Sequence, residues 1–359
     1  MKNFLVFLSV LFITTLGIDS FLKSSMICPP TVKYYDSTYG ALNRPNIEYV
    51  KFKEGFFMGT STLDGRWKDT CSADSDTNKL NILMIGDSFV EGIDVLGRHH
   101  FSSILNSDLA HKMKRKIQIL NFGRGNCILN ASSYYYLKHI VPNYRADVVL
   151  YFVENRDVAP WQGSYPSTAF GMDSKKQILS IDTSWKLSGA FKLHQRLIAN
   201  GITASYENWG FARLAYRAFM SITNLFSFGE LTFGKFYPIH TKAQTYETSV
   251  NNDTLSKLSK LLLHDIAHSY GGKVVFVVRN IPVKATSLMG YFETNKYNFI
   301  NLSDTLNNDL KIENTNIDAH FFKTTKSYGG HWNHDGHKAV GQLLSDRLYQ
   351  LIKTRNDNK

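Results

Sequence analysis

The sequence predicts an α/β fold in which a parallel β-sheet lies between helices on both faces. Three observations carry this. The runs NILMIG (81–86), KIQILNFG (116–123), DVVLYFV (147–153) and KVVFVVR (273–279) are short, β-branched and almost continuously apolar, as strands covered on both faces must be. Helical patterns alternate with these runs, which is the signature of crossover connections. Each run also ends in small or polar residues, and in such folds ligands bind outside the carboxyl ends of the strands.

The N-terminus stands apart. Phe4 to Ile18 is a run of 15 uncharged residues that follows Lys2. It reads either as a cleaved signal peptide (1–22) or as a retained membrane anchor, and a full span needs about 20 apolar residues. Both readings place the rest of the chain outside the cytoplasm. Residues 23–80 are polar, with prolines at 29, 30 and 45, and predict a linker with a few pieces laid against the main domain. In an oxidising compartment Cys28 and Cys71 could pair, leaving Cys127 over.

The first strand, 81–86, runs into Gly86-Asp87-Ser88 and then Gly92. A helix is expected over 101–113, a strand over 116–123, a helix over 132–141 and a third strand over 147–153. The stretch from 158 to 250 breaks the alternation and is rich in aromatics, among them Trp161, Trp185, Trp209 and Phe226. It predicts an insertion leaving the third strand, serving as a lid or specificity wall. Leu255, Leu258, Leu262 and Ile266 share a helical face within 254–272. After the fourth strand comes a fainter fifth over 297–303. A last helix runs from about 335 to 352, so the core comprises 81–157 and 251–355.

With 43% hydrophobic residues, a substantial core is available and wholesale disorder is excluded. The formal charge of +11 suits anionic headgroups or acidic glycans. The basic run KMKRK (112–116) sits just before a strand and reads as a solvated turn, so no nucleic-acid partner is expected.

Chemistry-bearing residues gather at the strand ends. Ser88 opens the turn after the first strand, where helix N-terminal N–H groups can hold a developing oxyanion. Gly123 ends the second strand and can bring its N–H close to a ligand. Asn155 follows the third strand with a side-chain amide. His331 stands just before the last helix. A serine nucleophile needs a base, so Ser88 and His331 are the candidate catalytic pair, with Ser88, Gly123 and Asn155 as oxyanion donors. A shifted register would make His337 the base with Asp335 before it. His331, His334 and His337 are spaced in threes, which drifts around a helix, so no metal site is expected.

At these residues the chain resembles the SGNH/GDSL hydrolase family. The first block is similar to Gly86-Asp87-Ser88-Phe89 with Gly92, the glycine block to Asn121-Phe122-Gly123, the asparagine block to Asn155, and the histidine block to His331-Trp332-Asn333. The upstream TLDGRW (62–67) is similar to a segment of membrane-tethered bacterial members. The resemblance implies a flavodoxin-like three-layer α/β/α sandwich and ester hydrolysis or acyl transfer through a seryl ester, without metal or organic cofactor. It leaves residues 158–250 uncovered. The expected substrate is an O-acylated glycan, with O-acetyl the expected group; lipid and small esters stay open. The membrane would be a partner through an uncleaved N-terminus.

Two departures stand out. Arg156 follows Asn155, and Glu154 stands where the family carries glycine. The acid expected two or three residues before His331 is replaced by Gly329 and Tyr328. Three explanations are open: a backbone carbonyl orients His331, an acid from elsewhere such as Asp318 or Asp157 substitutes, or the chain is a non-catalytic glycan-binding or assembly protein on the same fold.

Overall fold

The computed structural model describes residues 2–24, 33–36, 40–51, 55–71, 78–124, 138, 141–154, 169–173, 178–182, 210, 214, 255, 257–279, 286–302 and 331–357. The chain divides into two units. One comprises Met1–Val32, Glu48–Val50 and Ser184–Tyr246; the other comprises Lys33–Ile47, Lys51–Thr183 and Glu247–Lys359.

In the first unit, α1 (Lys2–Ser24) is a single helix. Its segment Lys2–Leu22 has a mean hydropathy of 2.1 and is long and apolar enough to cross a membrane. The helix therefore outruns the charge-free stretch read from the sequence. Most of its apolar side chains are exposed, but Asp19 and Leu22 in its last turns are buried. Gly210 lies against them: a Cβ there would come within 3.0 Å of Leu22 Cβ and 3.2 Å of the Asp19 carbonyl.

The second unit contains, in chain order, β1 (Lys33–Asp36), β2 (Gly40–Asn43), the end of β3 (Glu48–Lys51), β4 (Phe57–Thr60), β5 (Leu80–Gly86), α2 (Ser88–Glu91), α3 (Phe101–Met113), β6 (Ile117–Gly123), β7 (Val148–Glu154), β8 (Ala169–Asp173), β9 (Ile178–Asp182), α4 (Lys257–His268), β10 (Val274–Arg279), α5 (Thr286–Thr294), β11 (Phe299–Asn301) and α6 (His334–Asp357). β1 and β2 form an antiparallel hairpin, as do β8 and β9.

The central sheet has five strands in the order β11-β10-β7-β5-β6, and every pair is parallel. Counted along the chain this is the 2-1-3-4-5 order of flavodoxin-like folds. The alternation along each strand splits its side chains between two cores. Ile82, Met84, Leu150, Phe152 and Val277 meet Phe101, Leu105 and Leu109 of α3 and Val340, Leu344 and Leu348 of α6. Leu83, Ile85, Tyr151, Val153 and Phe276 meet Leu262, Leu263 and Ile266 of α4 and Leu288 and Phe292 of α5. Both faces are covered, which is why the strand sequences are apolar at successive positions. Each such side chain, fully buried, contributes about 1.5–3 kcal/mol relative to exposure.

The expected layers and strands are all present, with shifted ends. The fifth strand covers only three residues, Phe299–Asn301. Helix α4 stops at His268, where Ser269–Gly272 tightens into a 3₁₀ turn with Tyr270 and Gly271 left-handed. Helix α6 runs on to Asp357. The helix expected over 132–141 lies almost wholly outside the described residues, as does most of 158–250.

The strand order reverses between β5 and β7, which puts the topological switch point beside the C-terminal end of β5. Ser88 follows that end directly.

Candidate active site

Ser88 owes its position to a very short helix with both ends fastened. Asp87 is the N-cap of α2, its Oδ1 accepting from the Phe89 N–H at 3.0 Å. Its Oδ2 accepts from Arg279 Nη2 at 2.5 Å. Arg279 ends β10, and its buried guanidinium lies 3.6 Å from the Phe89 ring centroid. Burial pulls the Arg279 pKa down, and the Asp87 carboxylate opposes that pull. At the other end of α2, Gly92 takes the left-handed conformation (φ 63°) and donates its N–H to the Ser88 carbonyl at 2.9 Å. A Cβ at Gly92 would lie 2.0 Å from the His100 ring, so both backbone and space demand glycine.

Beneath α2 the upstream segment forms a buttress. Buried Glu91 accepts at Oε1 from Asn43 Nδ2 (3.0 Å) and Trp67 Nε1 (3.3 Å). Trp67 is itself buried edge-on to Phe57. The turn Thr62–Trp67 is closed by Thr62 N–H to the Arg66 carbonyl at 2.7 Å and by the Asp64–Arg66 ion pair at 2.7 Å. TLDGRW is therefore a brace for the serine turn. Cys71 is a free thiol beside it, its Sγ 3.4 Å from the Asn121 N–H, and burial raises its pKa. Cys28, its expected partner, lies outside the described residues.

His331 arrives from the opposite end of the unit's sequence. Trp332 anchors it, buried among Phe89, Phe101 and His337 with ring centroids 5.1, 5.8 and 5.9 Å away. Asn333 caps α6, its Oδ1 accepting from the Gly336 N–H at 3.0 Å. Two residues before that cap, His331 places Nε2 2.7 Å from Ser88 Oγ. The candidate pair thus meets within hydrogen-bond reach.

The other ring nitrogen faces a residue the sequence reading did not single out. His331 Nδ1 lies 3.4 Å from Asp94 Oδ2. That is beyond a formed N–H···O bond, yet no other polar atom among the described residues satisfies this buried oxygen. Asp94 is 1% exposed, and its Oδ1 is ion-paired with Lys51 Nζ. The only signal for Asp94 in the sequence was its place six residues beyond Ser88, in the loop that α2 releases. Asp318 and Asp157, the acids considered from the sequence, lie outside the described residues.

Gly123 does not serve as expected. Its N–H donates to Asn121 Oδ1 at 2.8 Å, an acceptor on its own strand. The reason for glycine here is contact: a Cβ would fall 2.3 Å from both the Glu91 nitrogen and the Val90 carbonyl carbon. Asn121 completes the join by donating Nδ2 to the Val90 carbonyl at 2.6 Å. As the first residue of α2, Ser88 has an N–H with no intrahelical acceptor. Asn155 lies outside the described residues.

His337 is not an alternative base. It is buried, its Nδ1 accepts from the Phe101 N–H at 3.2 Å, and its ring stacks on Phe101. Burial first, then neighbouring His100, holds its pKa well below the ordinary histidine value. Asp335 lies in the first turn of α6. Among the described residues no three His, Cys, Asp or Glu side chains gather as a metal centre.

No protein-family model and no curated protein matches the chain. Among solved structures it is similar to a lipase/acylhydrolase from Enterococcus faecalis, at 10% identity and TM-score 0.37 over 76% of this chain and 96% of that one. It is also similar to a psychrotrophic esterase from Pseudoalteromonas sp. (9%, TM-score 0.35, 76% and 98%). A third is a member of the lipolytic protein G-D-S-L family from Veillonella parvula (11%, TM-score 0.33, 74% and 97%).

Proposed function

We propose that the chain is a serine ester hydrolase of the SGNH type. The observation that carries this is the 2.7 Å contact between Ser88 Oγ and His331 Nε2 at the switch point of a 2-1-3-4-5 sheet. Imidazole Nε2 takes the hydroxyl proton as Oγ attacks the ester carbonyl, then returns it to the leaving alcohol. The Ser88 N–H, at the first position of α2, stabilises the tetrahedral oxyanion, with the Asn155 amide as second donor. Water releases the acyl group from Ser88; an acceptor sugar hydroxyl in its place makes the reaction a transfer.

The substrate is read as an O-acylated, foremost O-acetylated, glycan outside the cytoplasm. Support comes from the apolar helix α1, the +11 charge and the aromatic-rich stretch 158–250, whose flat side chains suit sugar faces.

A serine-directed fluorophosphonate tests the core of the reading. The native chain in detergent is expected to label at one site, and Ser88→Ala to label not at all. Equal labelling of the two, or none of the native chain, would favour a non-catalytic binding protein.

A further inference from the structure

We propose that Asp94 is the acid that orients His331, and that Lys51 holds Asp94 in place. This deepens the reading above and rests on it. The chain would thus supply its acid from the loop behind the nucleophile, in the order Ser88, Asp94, His331, where Gly329 and Tyr328 occupy the expected position.

The geometry points this way from both sides of the imidazole. Nε2 faces Ser88 Oγ at 2.7 Å. To accept that hydroxyl's proton it must carry none itself, which puts the ring proton on Nδ1. Nδ1 faces Asp94 Oδ2 at 3.4 Å, and that oxygen has no other hydrogen-bond partner among the described residues. A buried carboxylate without compensation is costly, and the compensation comes from two directions: Lys51 on Oδ1 and the Nδ1 proton on Oδ2. Such catalytic contacts are often long without substrate and tighten in its complex.

The arrangement divides the work. His331 is 23% exposed and open to a ligand, whereas Asp94, 1% exposed, is buried behind it. Asp94 is therefore a positioning residue, selecting the Nδ1–H tautomer and stabilising the imidazolium formed during attack. Lys51, 17% exposed at the end of β3, draws one carboxylate oxygen away and leaves the other for the ring. Among the described residues, the groups near His331 also include the Phe89 ring, at 4.9 Å, and His337, which is buried and neutral.

The test is nitrogen NMR of histidine side chains in the full chain in detergent, with His331→Gln to assign the signal. Native protein is expected to show His331 as the Nδ1–H tautomer. In Asp94→Asn the tautomers should mix, because the carboxylate that holds the Nδ1 proton is gone. Lys51→Met, which leaves both partners in place but releases Asp94, should also mix the tautomers, and it guards against an Asp94 variant that does not fold. With p-nitrophenyl acetate as probe, Asp94→Asn should lose about 10²- to 10⁴-fold in kcat with KM within about 3-fold. A purely structural Asp94 would not move the tautomer. An unchanged tautomer in Asp94→Asn and Lys51→Met overturns the proposal, as does a kcat within about 3-fold of native in a folded Asp94→Asn. If the tautomer follows Asp94 while the native chain neither labels nor hydrolyses, the positioning role stands and the catalytic reading falls.

Discussion

At the residue scale, the site depends on side chains that are absent as much as on those present. Gly123 sits where β6 passes under α2, and a methyl group there would collide with backbone at 2.3 Å. Backbone cannot swing aside as a flexible side chain can, so Gly123→Ala must push α2 away. The expected outcome is a loss of about 1–3 kcal/mol in chemical denaturation and a much slower fluorophosphonate reaction at Ser88. Unchanged labelling in a destabilised variant would show that α2 moves as a rigid piece together with His331. The sequence marked Gly123 as important but for a different reason. Glycine at a strand end is equally consistent with a free N–H and with close packing, and only the position of Asn121 Oδ1 separates the two.

At the scale of elements, helix α1 is compatible with both a cleaved signal and an anchor. Its residues were legible as apolar, but their number alone supports both readings. The buried last turns at Asp19 and Leu22, with Gly210 pressed against them, favour retention, since cleavage after residue 22 would remove that packing. Intact mass of the protein made in a secreting host is expected to include residues 2–22, and the protein to stay with membranes through a high-salt wash. A mature form starting near residue 23 would show that the contact is dispensable. The stretch 40–71 teaches a related lesson. Its composition is that of a connector, yet Asn43, Trp67 and Lys51 each reach the loop around Ser88. Polar composition reports solvent on average and does not reveal which few side chains turn inward.

At the scale of the whole molecule, acid stability follows from two buried imidazoles between α3 and α6. Burial lowers the pKa of His100 to about 3 and that of His337 well below its ordinary value. Both rings are neutral in the fold and bind protons more readily once unfolded. The unfolded state thus holds more protons below about pH 6.5, and stability falls as pH drops through that value. For His100 the loss runs from about pH 6.5 down to about 3. Denaturation midpoints measured between pH 7 and 5 should fall for the native chain, and fall less steeply for His337→Gln, which removes one of the two. A flat profile would mean that the rings are solvated.

The sequence by itself determined the layered sheet and the place of Ser88 at a strand end. Those depend on side-chain alternation and turn chemistry, which are local and repeat along the chain. Only the tertiary structure decided that the Gly123 N–H is already spent, that His337 is buried away from Ser88 and that Asp94 and Lys51 stand behind His331. Each of these depends on which way a side chain or amide points after distant segments have packed. That direction is set by the path of the loops and by the volume left between neighbours, and neither is written in spacing or composition.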